Sequence, residues 1–276
     1  MQRPSPAAAM TQHPGHEPGA AAPPPGAELD PMIWLEGVTM RYGSKVILDQ
    51  IELRVPRGKV TVVMGGSGHG KSTVLKLIVG FMRPQGGRIW IDGQNVLELS
   101  DAERLEVQKK IGMSFQYSAL FDSMTVYENC AFPLREHTRL GEPEIRQRVS
   151  EALRRLGLPG VEDKMPSDLS GGMKKRVGVA RAIMLQPKIM LFDEPESGLD
   201  PITTTSIGEL IMSMRDDFRI TCLVISHNLA NSMMIGDKIC MLYKGRIIAE
   251  GSPDELRANS DPVLQQFLHG RAEGPY

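Results

Sequence analysis

Eight residues constrain this chain more than any others. Gly65-Gly66-Ser67-Gly68-His69-Gly70-Lys71-Ser72 fits G-x-x-x-x-G-K-S/T, the pattern of a loop that cradles phosphate. Before it, Lys59-Val60-Thr61-Val62-Val63-Met64 is apolar and β-branched and predicts a strand; after it, Thr73 to Val79 predicts a helix. The glycines let main-chain N–H groups close around phosphate oxygens. The helix turns its N-terminus, with free N–H groups and the positive end of its dipole, toward the same anion. Lys71 is placed to reach the β- and γ-phosphates, and Ser72 to offer its hydroxyl to Mg²⁺.

Composition sets outer limits. The 276 residues allow one large α/β domain, or a domain with an inserted subdomain. With 32 basic and 33 acidic side chains there is no basic excess to suggest a nucleic-acid partner. No window reaches the ~18–20 apolar residues of a membrane span, so the chain reads as soluble or peripheral. Cys130, Cys222 and Cys240 are scattered and lack metal-ligand spacing, so they read as reduced core thiols. The 17 methionines read as adaptable core filling, with a partner surface as the alternative.

Residues 1–31 are rich in Pro, Ala and Gly, lack apolar periodicity, and read as a disordered tail in which His13 and His16 are incidental. Met32 precedes the first strand pattern and stands beside Met1 and Met10 as a candidate start. Ile33 to Met40 and Ile51 to Val55 alternate like half-exposed strands, and Arg88 to Gly93 adds a strand and turn. Helices are predicted over Asp101 to Lys110, Thr125 to Ala131 and Glu142 to Leu156, forming a helical subdomain over about 100–170. Apolar strands at Lys188 to Phe192 and Ile220 to Ile225 then alternate with helices, the pattern of a mainly parallel sheet. Lys238 to Tyr243 and Gly245 to Glu250 suggest a closing hairpin, and 253–276 a helical extension. The predicted class is α/β: a phosphate-loop core, an antiparallel β-subdomain and a helical insertion.

Asp193 and Glu194 end a buried strand expected beside the phosphate-loop strand. One acid there can hold Mg²⁺ through water, and the other can orient and deprotonate an attacking water. Ser170-Gly171-Gly172, at a helix start, is a second anion site with a cap hydroxyl and two permissive glycines. A nucleotide needs only one such site per chain, so the second suggests a nucleotide held between two chains.

From residue 32 onward the sequence resembles the ATP-binding-cassette ATPases, whose motifs occur here in order. By that resemblance Tyr42 stacks on adenine. Gly65, Gly66, Ser67, Gly68, His69, Gly70, Lys71, Ser72 and the adjoining Thr73 form the Walker A site. Gln116 is the Q-loop glutamine, a magnesium ligand beside Ser72 and Asp193. Leu169-Ser170-Gly171-Gly172-Met173 is the signature, and Asp193-Glu194 ends Walker B. Asp200 lies in the D-loop, and His227 is the switch histidine. The resemblance implies a head-to-tail dimer with ATP between Walker A of one copy and Ser170-Gly171-Gly172 of the other. Glu194 is then the base, and Lys71 and His227 act at the γ-phosphate. Met173 and Asn228 depart from the usual signature glutamine and switch aspartate.

A narrower resemblance covers Phe115 to Val126, Phe132 to Thr138, Leu169 to Arg176 and Phe267 to Gly270, which look like the ATPases of Mla/Mce-type lipid transporters. It implies phospholipid or other hydrophobic cargo moved between inner and outer membranes. It also implies a permease docked at 115–138, an Mce-domain protein in the same complex, and a peripheral location on the cytoplasmic face of the inner membrane. A second reading is the ATPase of a small-solute importer, such as one for an amino acid. A third is a non-transport protein acting on DNA or ribosomes, which usually carries a long coiled-coil insertion or a second cassette; neither is present.

Overall fold

A computed structural model describes residues 30–276; nearly all of the tail assigned above, with His13 and His16, lies outside the described residues. The chain builds two sheets. The first is antiparallel, in the order β2 (Lys45–Val55), β1 (Ile33–Tyr42), β4 (Gly86–Ile91), β5 (Gln94–Asn95). The second runs β10 (Arg246–Gly251), β9 (Lys238–Tyr243), β3 (Val60–Met64), β8 (Thr221–Ser226), β7 (Ile189–Asp193), β6 (Ile111–Ser114). It is parallel except for β10.

The central strands are apolar on both faces because both faces are covered. Along β3, Val60, Val62 and Met64 point into one core, and Val63 points into the other, as the two-residue period of a strand requires. The same split separates Phe192 from Leu191 and Val224 from Ile225. One core lies between the sheets and takes in α1 (Lys71–Ile78) through Val74, Leu75, Leu77 and Ile78, with Val107 of α2 (Asp101–Gln108). The other collects α3 (Val126–His137), α4 (Glu142–Arg155), α5 (Gly171–Ile183), α6 (Pro201–Phe218) and α7 (Leu229–Ile235). Leu256 of α8 (Pro253–Ala258) and Leu264 of α9 (Pro262–His269) join it. Within 100–170, β6 pairs with β7 in the core sheet, and α2, α3 and α4 stand outside the sheets.

The helix predicted over Thr125 to Ala131 runs on to His137 despite Pro133. Proline removes one main-chain donor. A capping box between Thr125 and Glu128 starts the helix, and buried Val126, Cys130, Ala131 and Leu134 hold it through the interruption. Helix α7 and the two-residue β5 were not predicted; both are too short for a periodic signal.

Asp92 fastens the two sheets together. It accepts hydrogen bonds from Arg57 Nη1 at 2.6 Å, Lys110 Nζ at 2.8 Å and Lys188 Nζ at 3.4 Å. The Lys110 and Arg57 bonds hold its carboxyl far below the usual carboxylate range. All three cysteines are buried and free; desolvation raises the Cys130 and Cys222 thiols to about 12 and Cys240 further still.

Because the folded pKa of Asp92 is depressed, its stabilisation is present above the unfolded value near 4 and is lost as pH falls through the folded value. Asp92→Asn should therefore cost about 2 kcal/mol near neutral pH, the scale of hydrogen bonds to charged groups. In urea melts at stepped pH the gap between parent and variant should narrow below about pH 4; a gap that stays constant with pH would contradict the assignment.

Candidate functional site

Strand β3 ends at buried Met64 and delivers the chain into Gly65 at φ +152°. A Cβ at that position would lie 2.2 Å from the Leu242 carbonyl oxygen on β9, so the loop passes the sheet only with glycine there. Gly66 to Gly70 then arch over to α1. Gly70, at φ +102°, caps α1 without a side chain, and the first turn holds no acidic residue. The helix end is thus uncompensated and favours an anion. Ile47 and Leu48 pack against Gly70, which places the β1–β2 hairpin beside the loop. Tyr42, at the end of β1, is 49 % exposed and donates its hydroxyl hydrogen to Met82 Sδ at 3.0 Å, leaving its ring on the surface.

Lys71 is 5 % exposed. Its ammonium donates to the carbonyls of Gly65 and Gly66, each at 2.9 Å, and lies 3.8 Å from Glu194 Oε1. Burial lowers its pKa against the pull of Glu194 and Asp193. Ser72 donates its hydroxyl hydrogen to Asp193 Oδ1 at 3.1 Å, a contact between neighbouring α1 and β7. Desolvation raises the Asp193 carboxyl, with the Ser72 bond opposing it. Glu194 follows at φ +46°, and its Oε2 is 3.2 Å from His227 Nδ1. His227 comes directly after β8, whose parallel register with β3 and β7 brings all three strand ends to one edge. Lys71, Ser72, Asp193, Glu194 and His227 therefore form one cluster, with Thr73 buried behind it. Gln116 stands at its side and donates from Nε2 to Ser197 Oγ at 3.2 Å.

Ser170, Gly171 and Gly172 are elsewhere on the surface. Ser170 caps α5, accepting the Met173 N–H at 3.3 Å. Asp200 caps α6, accepting the N–H groups of Ile202 and Thr203 at 3.0 Å. The two caps adjoin, since a Cβ on Gly172 would lie 2.7 Å from Thr203 Cγ2. Among the described residues no hydrogen bond or ion pair joins either cap to the phosphate loop.

Three residues of the site escaped the sequence reading. Lys175 on α5 is 6 % exposed and donates to the Gln116 carbonyl. Its signal was position: one turn before Val179, on the buried face of α5. Glu196 is 4 % exposed and accepts the Ser226 hydroxyl hydrogen at 2.5 Å. Tyr276 packs its ring 5.4 Å from the His69 ring and 5.1 Å from that of Tyr243, with its hydroxyl against Gly66. No local pattern announces such a long-range contact. Burial lowers the pKa of His69.

Residues 48–197 match the ABC transporter family. Together with the cluster at the strand ends, that match makes the chain a member of this family and an ATP-binding, ATP-hydrolysing subunit of a transporter. Among curated relatives, it is 43 % identical over 244 residues to "Intermembrane phospholipid transport system ATP-binding protein MlaF" of Escherichia coli (strain K12), covering 88 % of this chain and 91 % of that protein. It is 44 % identical over 243 residues to "Probable ribonucleotide transport ATP-binding protein mkl" of Mycobacterium leprae, covering 88 % of this chain and 70 % of that one. Among solved structures, cbiO1 from Clostridium perfringens, part of the complex cbiONQ, superposes with a TM-score of 0.77 at 32 % identity, covering 88 % of this chain and 96 % of that one. The cassette MJ0796, solved as a dimer bound to ADP and Pi, gives 0.74 at 31 % identity over 80 % of this chain and 99 % of that chain.

Gly65→Ala should push β9 off the phosphate loop at a cost of about 2–4 kcal/mol, the sum of strain and overpacking. Calorimetry should show the lower melting temperature, and titration with a fluorescent ADP should show lost binding. A variant as stable as its parent that binds normally would contradict the close approach to Leu242.

Proposed function

We propose that this chain powers the movement of phospholipid or other hydrophobic cargo between the inner and outer membranes, as the ATPase of an Mla/Mce-type transporter. The observation that carries the reading is the 43 % identity to MlaF over 91 % of that protein's length. The relative named for ribonucleotide transport supports a second reading, in which the cargo is a small solute.

In the proposed reaction Tyr42 stacks on adenine, and residues 65 to 73 wrap the phosphates with Lys71 as the fixed cation. Glu194 takes a proton from the water that attacks the γ-phosphorus, and the ADP oxygen leaves in line. His227, 3.2 Å from Glu194, orients that carboxylate and faces the same phosphate. The hydroxyl of Ser72 and the carboxylate of Asp193, 3.1 Å apart and oxygen-rich, fit a hard divalent cation, with the Gln116 side chain as third ligand. Mg²⁺ held there would supply neutralisation of phosphate charge.

Ser170, Gly171, Gly172 and Asp200 complete the site of a second copy. The exposure of Ser170, Gly171 and Asp200, all outside the Lys71 cluster, supports this, as does the dimer formed by MJ0796. The permease docks at 115–138, where Tyr117 is 85 % exposed beside exposed Phe121 and Phe132. Arg181 donates to the carbonyls of Ser118 and Ala119 at 3.0 and 2.7 Å and stiffens this segment next to Gln116. No helix among the described residues is long and apolar enough to cross a membrane, which suits a peripheral subunit on the cytoplasmic face of the inner membrane. An Mce-domain protein belongs to the same assembly.

Glu194→Gln should keep ATP affinity, lose about 10²–10⁴ in turnover, the range for a general base, and sediment as an ATP-dependent dimer. Turnover at the parent rate would remove Glu194 from the base role. Cargo is tested by purifying the chain from membranes and identifying what accompanies it. A permease, an Mce-domain protein and enriched phospholipid support the proposal, and a solute-binding protein without lipid favours the second reading.

A further inference from the structure

Two buried charges behind the reacting cluster have no part in the chemistry described so far. Lys175 crosses from the signature helix into the core, where it is 6 % exposed. Its ammonium donates to the carbonyl of Gln116 and, at 3.5 Å, to the carbonyl of Glu194. Burial lowers its pKa, and the opposing pull comes from Glu196 first, then Glu194 and Asp193. Glu196 is 4 % exposed; Ser226 satisfies its Oε1, and its Oε2 has no hydrogen-bond partner.

The target of Lys175 is an awkward piece of chain. Glu194 is a non-glycine residue at φ +46°, a conformation that persists only where its surroundings impose it. Its N–H donates to the Ile225 carbonyl and its carbonyl accepts from the Ser197 N–H, each at 3.0 Å. Lys175 adds a third hold on the same residue. Ser226 also accepts the Asn228 N–H at 2.9 Å, so the Glu196–Ser226 bond reaches the turn that carries His227.

We propose that Lys175 is a positioning residue for ATP hydrolysis: by donating to the carbonyls of Gln116 and Glu194 it fixes the Q-loop and the general base to the signature helix. The signature helix opens on Ser170, the residue proposed to meet the second copy's nucleotide. Closure of the dimer onto Ser170 would thus be felt at Glu194 through one side chain. The inference rests on Glu194 as the base, and that assignment is tested separately by Glu194→Gln.

The experiment compares Lys175→Met, which keeps length and removes the donor, with Lys175→Gln, which keeps N–H donors without the charge. Both are measured in the full chain for ATP turnover and for fluorescent ADP affinity. Lys175→Met should lower kcat by at least about tenfold, with the ADP Kd within about twofold of the parent. Lys175→Gln should return kcat to within about threefold. A smaller loss in Lys175→Met, or a Lys175→Gln no faster than it, overturns the proposal. Where Lys175→Met does not fold, Lys175→Gln decides alone: kcat within about threefold at unchanged ADP affinity supports the role, and any larger loss overturns it.

Discussion

The ammonium of Lys71 has been taken out of water and is held by two main-chain carbonyls of its own loop. A buried cation is costly unless paired, and the nearest carboxylate stands off at 3.8 Å. The loop therefore holds a buried positive charge, offset by Glu194 and Asp193, next to a helix end with the same sign. Each surrounding feature follows from maintaining that arrangement. Gly65 must be glycine so that the loop can pass β9, and β3 must be apolar throughout because both of its faces are covered. The strand ends must be in register so that Asp193, Glu194 and His227 reach the same edge.

The first sheet serves this edge indirectly. Its β1–β2 hairpin packs on Gly70 and carries Tyr42, while Asp92 anchors the sheet to the turns before β3, β6 and β7 through Arg57, Lys110 and Lys188. Three cations on one carboxylate form a joint in which distant segments fix each other's position. The helical layer carries Ser170, proposed above to complete the site of a second copy, and it meets the core through buried side chains and through Lys175.

The strand, loop and helix around residue 65 were legible because that motif is local: the residues that act are adjacent in the chain, and period and glycine placement reveal their setting. Asp193 and Glu194 were legible for the same reason, as acids closing an apolar run. The full length of α3 was not, because Pro133 argues locally for a stop and the burial of Val126, Cys130, Ala131 and Leu134 carries the helix past it. Lys175 sits in the run Lys174-Lys175-Arg176, and only its place one turn before Val179 sets it apart. Glu196 and Tyr276 were invisible because their partners, Ser226 and His69, lie 30 and 207 residues away. Proximity in the fold decides these cases, and one sequence does not encode it in any window.

The three cysteines, sealed in the cores with thiols pushed far above physiological pH, bear on how such a protein meets oxidants. Thiolate is the form that reacts, and here it is almost absent while the fold is intact. Thiol–disulfide reagents therefore find no accessible thiolate on the native subunit. Thiol reactivity in this chain reports only the opening of its cores.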